Sequence, residues 1–125
     1  MSKSQKKQLA SVKKKDNEYL VALNERNFLV SQAYIFGSYA KGRAHSGSDI
    51  DVCIVSREYN PDDDKIRLLL WQARREIDPR IEPVAYHPQD FKSSDPLVFE
   101  VKEYGLQISV CGRYARQTLC SRYRY

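Results

Sequence analysis

The sequence has no long hydrophobic run. A membrane-spanning helix needs about 20 consecutive apolar residues, and no stretch of this chain approaches that length. The lysine-rich N-terminus is not followed by the apolar segment that a secretory signal requires. The sequence therefore predicts a cytoplasmic protein without a membrane contact.

Cysteine and histidine are also scarce. The chain has three cysteines, an odd number, and two histidines. Because Cys53, Cys111 and Cys120 show no CxxC spacing, neither a disulfide framework nor a zinc site is indicated. Cys53 falls in an apolar segment, where we expect a small core residue.

Acidic residues are missing from both ends of the chain. Residues 1–15 contain six lysines and residues 110–125 contain four arginines, and neither segment contains an acid. Residues 16–109 carry 11 basic and 16 acidic side chains, so the net charge of +5 comes from the ends. We predict a basic N-terminal arm at 1–15, one domain at 16–109 and a basic, Tyr/Arg-rich tail at 110–125. Any nucleic-acid contact is then expected only through the two basic ends.

Three short apolar segments of the predicted domain favour strands, and helical patterns accompany them. The predicted strands are 33–36, 50–55 and 81–86. The first predicted helix is 16–27, with Asp16 as a cap and with the preceding lysines either extending the helix or fraying. The other two are a helix opened by Asn60 and Pro61 and ended by Asp78-Pro79, and 96–104. Pro83 lacks an amide donor, so the third strand is expected at a sheet edge. This order predicts an α/β (α+β) domain with a small sheet.

A glycine–serine turn follows the first predicted strand. Gly37 allows the backbone to approach a phosphate, and the amides after it, at the expected start of a short helix, can donate to anionic oxygens. The Ser38 hydroxyl is a further donor. Lys41 and Arg43 are either counter-charges for a triphosphate or surface residues. Since an isolated Gly-Ser pair is usually an ordinary turn, its meaning depends on the residues that follow.

Two carboxylates follow this turn at a spacing of two residues. Because side chains alternate along a strand, Asp49 and Asp51 project from one face and can share a metal ion. Glu82 on the third strand could complete a three-carboxylate cluster for two ions. Such ligands favour Mg²⁺, with Mn²⁺ as an alternative. The competing interpretation, a solvated strand face, is disfavoured by the upstream Gly37-Ser38 turn.

The segment GSYAKGRAHSGSDIDV resembles the GSxxxGxxxxxSDxD signature of the polymerase-β-like nucleotidyltransferase superfamily. Within it, the chain is similar over about residues 17–109 to the minimal nucleotidyltransferases, or MNT family. This resemblance implies a small mixed sheet flanked by helices. It also implies a triphosphate on the turn at Gly37 and Ser38, and two metal ions at Asp49, Asp51 and Glu82. We add Lys41, Arg43 and Ser48 to the predicted ATP-binding residues.

The resemblance further implies a partner. In related minimal proteins the target is often an all-helical HEPN protein, and the pair forms a toxin–antitoxin system in which AMP from ATP is moved onto a toxin tyrosine. The chain is thus expected to be a protein adenylyltransferase that acts as an antitoxin in a hetero-oligomer. Glu82 stands where many relatives have Asp, so its role as base, metal ligand or both stays open.

Two other functions stay open. One is nucleotidyl transfer to a small molecule such as an aminoglycoside, although a chain of 125 residues leaves little room for a second substrate domain. The other is a non-catalytic antitoxin that inhibits by occlusion, although three carboxylates without a metal ion would repel one another. The sequence identifies neither the nucleotide nor the acceptor.

Overall fold

The structure is a computed structural model that describes residues 2–45 and 47–108. In chain order, its elements are α1 (Lys3–Glu25), β1 (Gln32–Phe36), β2 (Ile50–Val55), α2 (Asp64–Arg75), β3 (Ile81–Tyr86), a 3-10 helix (Pro88–Asp90), α3 (Pro96–Tyr104) and β4 (Leu106–Ile108). Within these ranges, no helix is long and apolar enough to cross a membrane. The predicted tail at 110–125, with Cys111 and Cys120, lies outside the described residues.

The four strands form one mixed sheet in the order β3-β2-β1-β4. β1 is antiparallel to β2 and to β4, whereas β2 and β3 are parallel. A parallel pair needs a crossover connection, and α2 provides it. This architecture confirms the predicted α/β class and the small mixed sheet, and it places β3 at an edge as Pro83 indicated.

The two faces of the sheet carry different helices. On β2, Ile50, Val52 and Ile54 are buried in the larger core, to which α1 and α2 also contribute. Cys53 points to the other face, where it is buried beside Val101 of α3, so the prediction of a small core cysteine is confirmed. Because side chains alternate along a strand, Asp51 projects from the same face as Cys53, toward the α3 side.

Two predicted helix caps are wrong. α1 begins at Lys3, because Ser2 and Gln5 form a capping box that satisfies the first amides. Asp16, the predicted cap, lies in the middle of this helix. α2 begins at Asp64, because the carboxylate of Asp63 accepts from the Lys65 amide, whereas Asn60 caps only a preceding turn.

The residues predicted as an N-terminal arm continue α1 toward the N-terminus. Val12 is buried, and Leu9 packs against the larger core. The side-chain amide of Gln5 donates to the carbonyl of Gly42. The first half of α1 therefore contacts both the core and the glycine-containing loop after β1.

Asp16 is a fully buried carboxylic acid in the middle of α1. Neither of its carboxyl oxygens has a hydrogen-bond partner among the described residues. Burial, with the nearby Asp78 carboxylate as the second cause, raises the pKa of Asp16 from 3.8 to about 8. The side chain is therefore accommodated as the neutral acid, because an unpaired buried carboxylate would be far more costly.

This burial predicts a pH-dependent stability. Between about pH 4 and pH 8 the unfolded chain releases the Asp16 proton and the folded chain retains it, so the free energy of unfolding falls as pH rises. The Asp16→Asn variant has a neutral amide at this position at every pH. Its free energy of unfolding should therefore fall by a few kcal/mol less than that of the wild type, since one pKa unit corresponds to about 1.4 kcal/mol. Urea unfolding at pH 5 and pH 8 measures it. Asp62→Asn, at an exposed position, is the control and should keep the wild-type decline; an equal decline in both variants would contradict the assignment.

Candidate active site

Two of the three predicted acids lie side by side on neighbouring strands. β2 and β3 pair in parallel with Asp51 opposite Glu82, and both side chains are partly exposed. Asp49 precedes β2 and is exposed. All three acids therefore lie at the end of the sheet where β2 and β3 begin, which is also where β1 ends.

The electrostatics of this sheet end centre on Asp51. Burial raises the pKa of its carboxyl, and the negative charges of Asp49, Glu82 and Glu100 raise it further. Like charges held together in this way favour protonation unless a cation neutralises them. The sequence prediction did not include Glu100, because this residue lies on α3, far from the other acids in sequence.

The carboxylates do not form a ready-made metal cluster. Among residues 2–45 and 47–108, no three acidic, histidine or cysteine side chains are close enough together to hold a metal ion. Asp49 and Glu82 nonetheless lie near enough to Asp51 to alter its pKa. Their oxygen donors are of the kind that Mg²⁺ and Mn²⁺ prefer, so the donor set fits such a cation.

Gly37 brings the turn after β1 against Asp51. Phe36 pairs with Asp51 across the antiparallel strands, and Gly37 follows with a φ of +74°. A Cβ atom at Gly37 would overlap Oδ2 of Asp51 and lie 3.2 Å from its Cγ. Only glycine therefore combines this backbone conformation with this close approach.

The residues after Gly37 form consecutive turns, and the expected short helix is not formed. The Lys41 amide donates to the Gly37 carbonyl over 3.1 Å, and the Arg43 amide donates to the Ser38 carbonyl over 2.9 Å. The first of these is a helix-type bond between residues four apart. This bond closes one helix-type turn at Gly37. Free amides in the first turn of a helix can bind an anion, and a phosphate at Gly37 and Ser38 stays a prediction.

The two predicted counter-charges differ in their surroundings. The Lys41 ammonium lies 3.7 Å from a carboxylate oxygen of Glu100. Arg43 is exposed and forms no ion pair with a described residue. Because the Lys41–Glu100 pair is more than a third exposed on both sides, it contributes little to stability, and a stronger anion could replace Glu100.

Ser48 holds the loop in front of the acids. Its hydroxyl accepts from the His45 amide over 2.9 Å, and its own amide donates to the His45 carbonyl over 2.9 Å. The same carbonyl accepts from the hydroxyl of Tyr39, a buried residue. Ser48 thus fixes the backbone directly before Asp49.

Arg80 provides a second set of contacts that support this loop. Arg80 forms an ion pair with Asp78 at 2.8 Å and donates to the Tyr39 hydroxyl over 3.1 Å. The Arg80 carbonyl also accepts from the Ile50 amide over 2.8 Å. Sequence reasoning missed Tyr39 and Arg80; the one available indication was an aromatic residue inside the glycine–serine segment.

The geometry defines a class: a small α/β domain in which a glycine turn lies against acids at the start of two parallel strands. The nucleotidyltransferase domain family matches residues 17–108, and the chain belongs to that family. The fold is similar to the crystal structure of a proposed nucleotidyltransferase from Sulfolobus solfataricus, with a TM-score of 0.59, 18% identity, and coverage of 86% of this chain and 87% of the other. No curated protein matches the chain.

Replacing Gly37 tests the close approach to Asp51. Gly37→Ala should lower the free energy of unfolding by about 1–3 kcal/mol, because its positive φ and the overlap with Asp51 both oppose a side chain. Gly47→Ala is the matched control: its Cβ would lie 3.5 Å from His45 in ordinary contact, so we expect a change within about 0.5 kcal/mol. Urea unfolding of both variants provides the comparison, and equal stabilities would refute the close approach.

Proposed function

We propose that this protein transfers AMP from ATP to a hydroxyl group of a protein partner, a tyrosine of a helical HEPN-type toxin, and so acts as its antitoxin. Membership of the nucleotidyltransferase family supports the reaction class. The observation that carries the proposal is the parallel register that sets Asp51 opposite Glu82, with Gly37 packed against Asp51. This arrangement supports a phosphate site at the glycine turn, beside acids suited to a divalent cation.

Asp49, Asp51 and Glu82 are the residues that we propose to hold Mg²⁺, or Mn²⁺ as an alternative. Two bound ions would supply charge neutralisation at the phosphate oxygens and activation of an attacking oxygen. The raised pKa of Asp51 supports this assignment, because the crowded carboxylates need a nearby positive charge to stay ionised together.

The remaining residues bind and orient the triphosphate. The turn at Gly37 and Ser38 donates to phosphate oxygens, and Lys41 and Arg43 neutralise their charge. Ser48 orients Asp49 through the loop.

In the proposed reaction, the tyrosine oxygen of the partner attacks the α-phosphorus. The bond from this phosphorus to the oxygen that bridges the α- and β-phosphates breaks, and pyrophosphate leaves. We assign Glu82 to accept the tyrosine proton in addition to serving as a ligand.

The surroundings of the acids support a protein acceptor. Asp49 is exposed, and Asp51 and Glu82 are partly exposed, so a partner can present a side chain directly to this sheet end.

Carboxylate variants test the reaction. With α-labelled ATP, Mg²⁺ and a helical HEPN-type partner, the wild-type protein should increase the partner's mass by one or more AMP units. Asp49→Asn, Asp51→Asn and Glu82→Gln should each slow transfer about a hundredfold or more, because each removes an ion ligand. Glu58→Gln, at an exposed position in another loop, is the control and should transfer normally.

Intact-mass spectrometry separates the outcomes. A partner that is bound and inhibited but unmodified would refute transfer and favour occlusion. Labelling of an added aminoglycoside instead of the partner would refute the protein acceptor. Full activity in Asp51→Asn would refute the assigned metal ligands.

A further inference from the structure

A pocket lies beside the glycine–serine turn. Its volume is about 530 Å³, and its lining residues are Ala40, Lys41, Arg43 and Tyr104. Pockets for small organic ligands commonly measure about 300–1,000 Å³, so the volume suits a molecule the size of a nucleoside. Tyr104 ends α3 with 61% of its surface exposed, and it is therefore free to contact a ligand.

The pocket is connected to the acids through one face of α3. Glu100 and Tyr104 are four residues apart on this helix and lie on the same side. Glu100 contacts Lys41, a lining residue, and the Lys41 amide donates to the carbonyl of Gly37, which packs against Asp51. A ligand in the pocket therefore lies next to both the phosphate-binding turn and the carboxylates.

The chemistry of the lining selects a ligand that is both aromatic and anionic. Tyr104 offers an exposed ring for stacking, and Arg43 offers a cation without an ion-pair partner among the described residues. Among residues 2–45 and 47–108, the Lys41 ammonium has one ion pair, an exposed contact with Glu100, and a phosphate can replace that partner. A purely aromatic ligand would leave both cations unused, and inorganic phosphate would leave the ring unused.

We propose that this pocket binds the nucleoside part of the triphosphate, with the base stacked on Tyr104 and with Lys41 and Arg43 next to the phosphates. The inference rests on the proposed function and deepens it, since it identifies which side of the turn receives the base. Stacking on one tyrosine face does not discriminate strongly among bases. Other purine nucleoside triphosphates should therefore bind with affinities close to that of ATP.

Binding measurements with two probes test this pocket. Calorimetric titration with ATP and Mg²⁺ should show about tenfold weaker binding for Tyr104→Ala, and near wild-type binding for Tyr104→Phe, because stacking needs the ring but not the hydroxyl. Inorganic tripolyphosphate, which lacks a base, should bind the wild type and Tyr104→Ala equally. Arg43→Ala should weaken binding of both probes. Phe99→Ala, which removes another exposed aromatic side chain from α3, is the matched control and should bind both as the wild type does.

The outcomes separate this inference from the proposed function. Unchanged ATP affinity in Tyr104→Ala would overturn the base pocket, even if AMP transfer proceeds normally. Equal loss of ATP and tripolyphosphate binding in that variant would also overturn it, because a stacking partner should not affect phosphate alone. Base-dependent ATP binding without transfer to any partner would support the pocket and overturn the proposed reaction. Thermal unfolding of each variant establishes that it is folded before titration.

Discussion

The parallel pairing of β2 with β3 is the constraint on which the site depends. It sets Asp51 opposite Glu82 although these residues are far apart in sequence. A parallel pair requires a crossover, and α2 supplies it by burying Leu70 and Ala73 against the core. A register shift of one residue would turn Glu82 to the opposite face. The packing of α2 thus determines indirectly, through the strand register, whether Asp51 and Glu82 lie close enough to bind the same ion.

Holding these carboxylates close together has an electrostatic cost, and contacts in the surrounding structure keep their backbone in place. The pKa of Asp51 is raised by its burial and by three neighbouring carboxylates. The loop before Asp49 is held by neutral hydrogen bonds from Ser48 and Tyr39 to His45, and by Arg80 behind Tyr39. These contacts fix the backbone without using the carboxylates, which remain available for a cation. This separation of supporting groups from binding groups is typical of a preorganised site.

α1 connects the core to the same loop. Its C-terminal end is closed by a Schellman motif, in which Asn27 adopts a φ of 64° and the Phe28 amide donates to the Leu23 carbonyl. Its N-terminal end reaches the carbonyl of Gly42 through Gln5. Between these ends lies Asp16, a buried carboxylic acid. Its pKa is raised to about 8, so the folded protein favours the protonated form. The same helix therefore supports the loop and introduces a pH-sensitive element into the fold.

The sequence alone was sufficient for the features that depend on local pattern. Short apolar segments predicted the first three strands, Pro83 predicted an edge position, and the helical pattern of 96–104 predicted α3. The spacing of Gly37, Asp49 and Asp51 indicated the site, because a turn and a short strand fix the relation between neighbouring residues. Two helix caps were missed, because several candidate caps compete locally and the sequence does not show which one the rest of the fold selects. The N-terminus of α1 is capped by Ser2 and Gln5, whereas Asp16 was the predicted cap.

Tertiary structure alone decided the contacts between distant segments. Tyr39 and Arg80 meet across 41 positions, Lys41 meets Glu100 across the sheet end, and Gln5 reaches Gly42. None of these pairs follows a local period, so each becomes visible only when strand order and helix packing bring its members together. The predicted acids illustrate the difference. Asp49 and Asp51 are neighbours because only one residue separates them in sequence, whereas Glu82 and Glu100 reach Asp51 through the register of β3 and the position of α3.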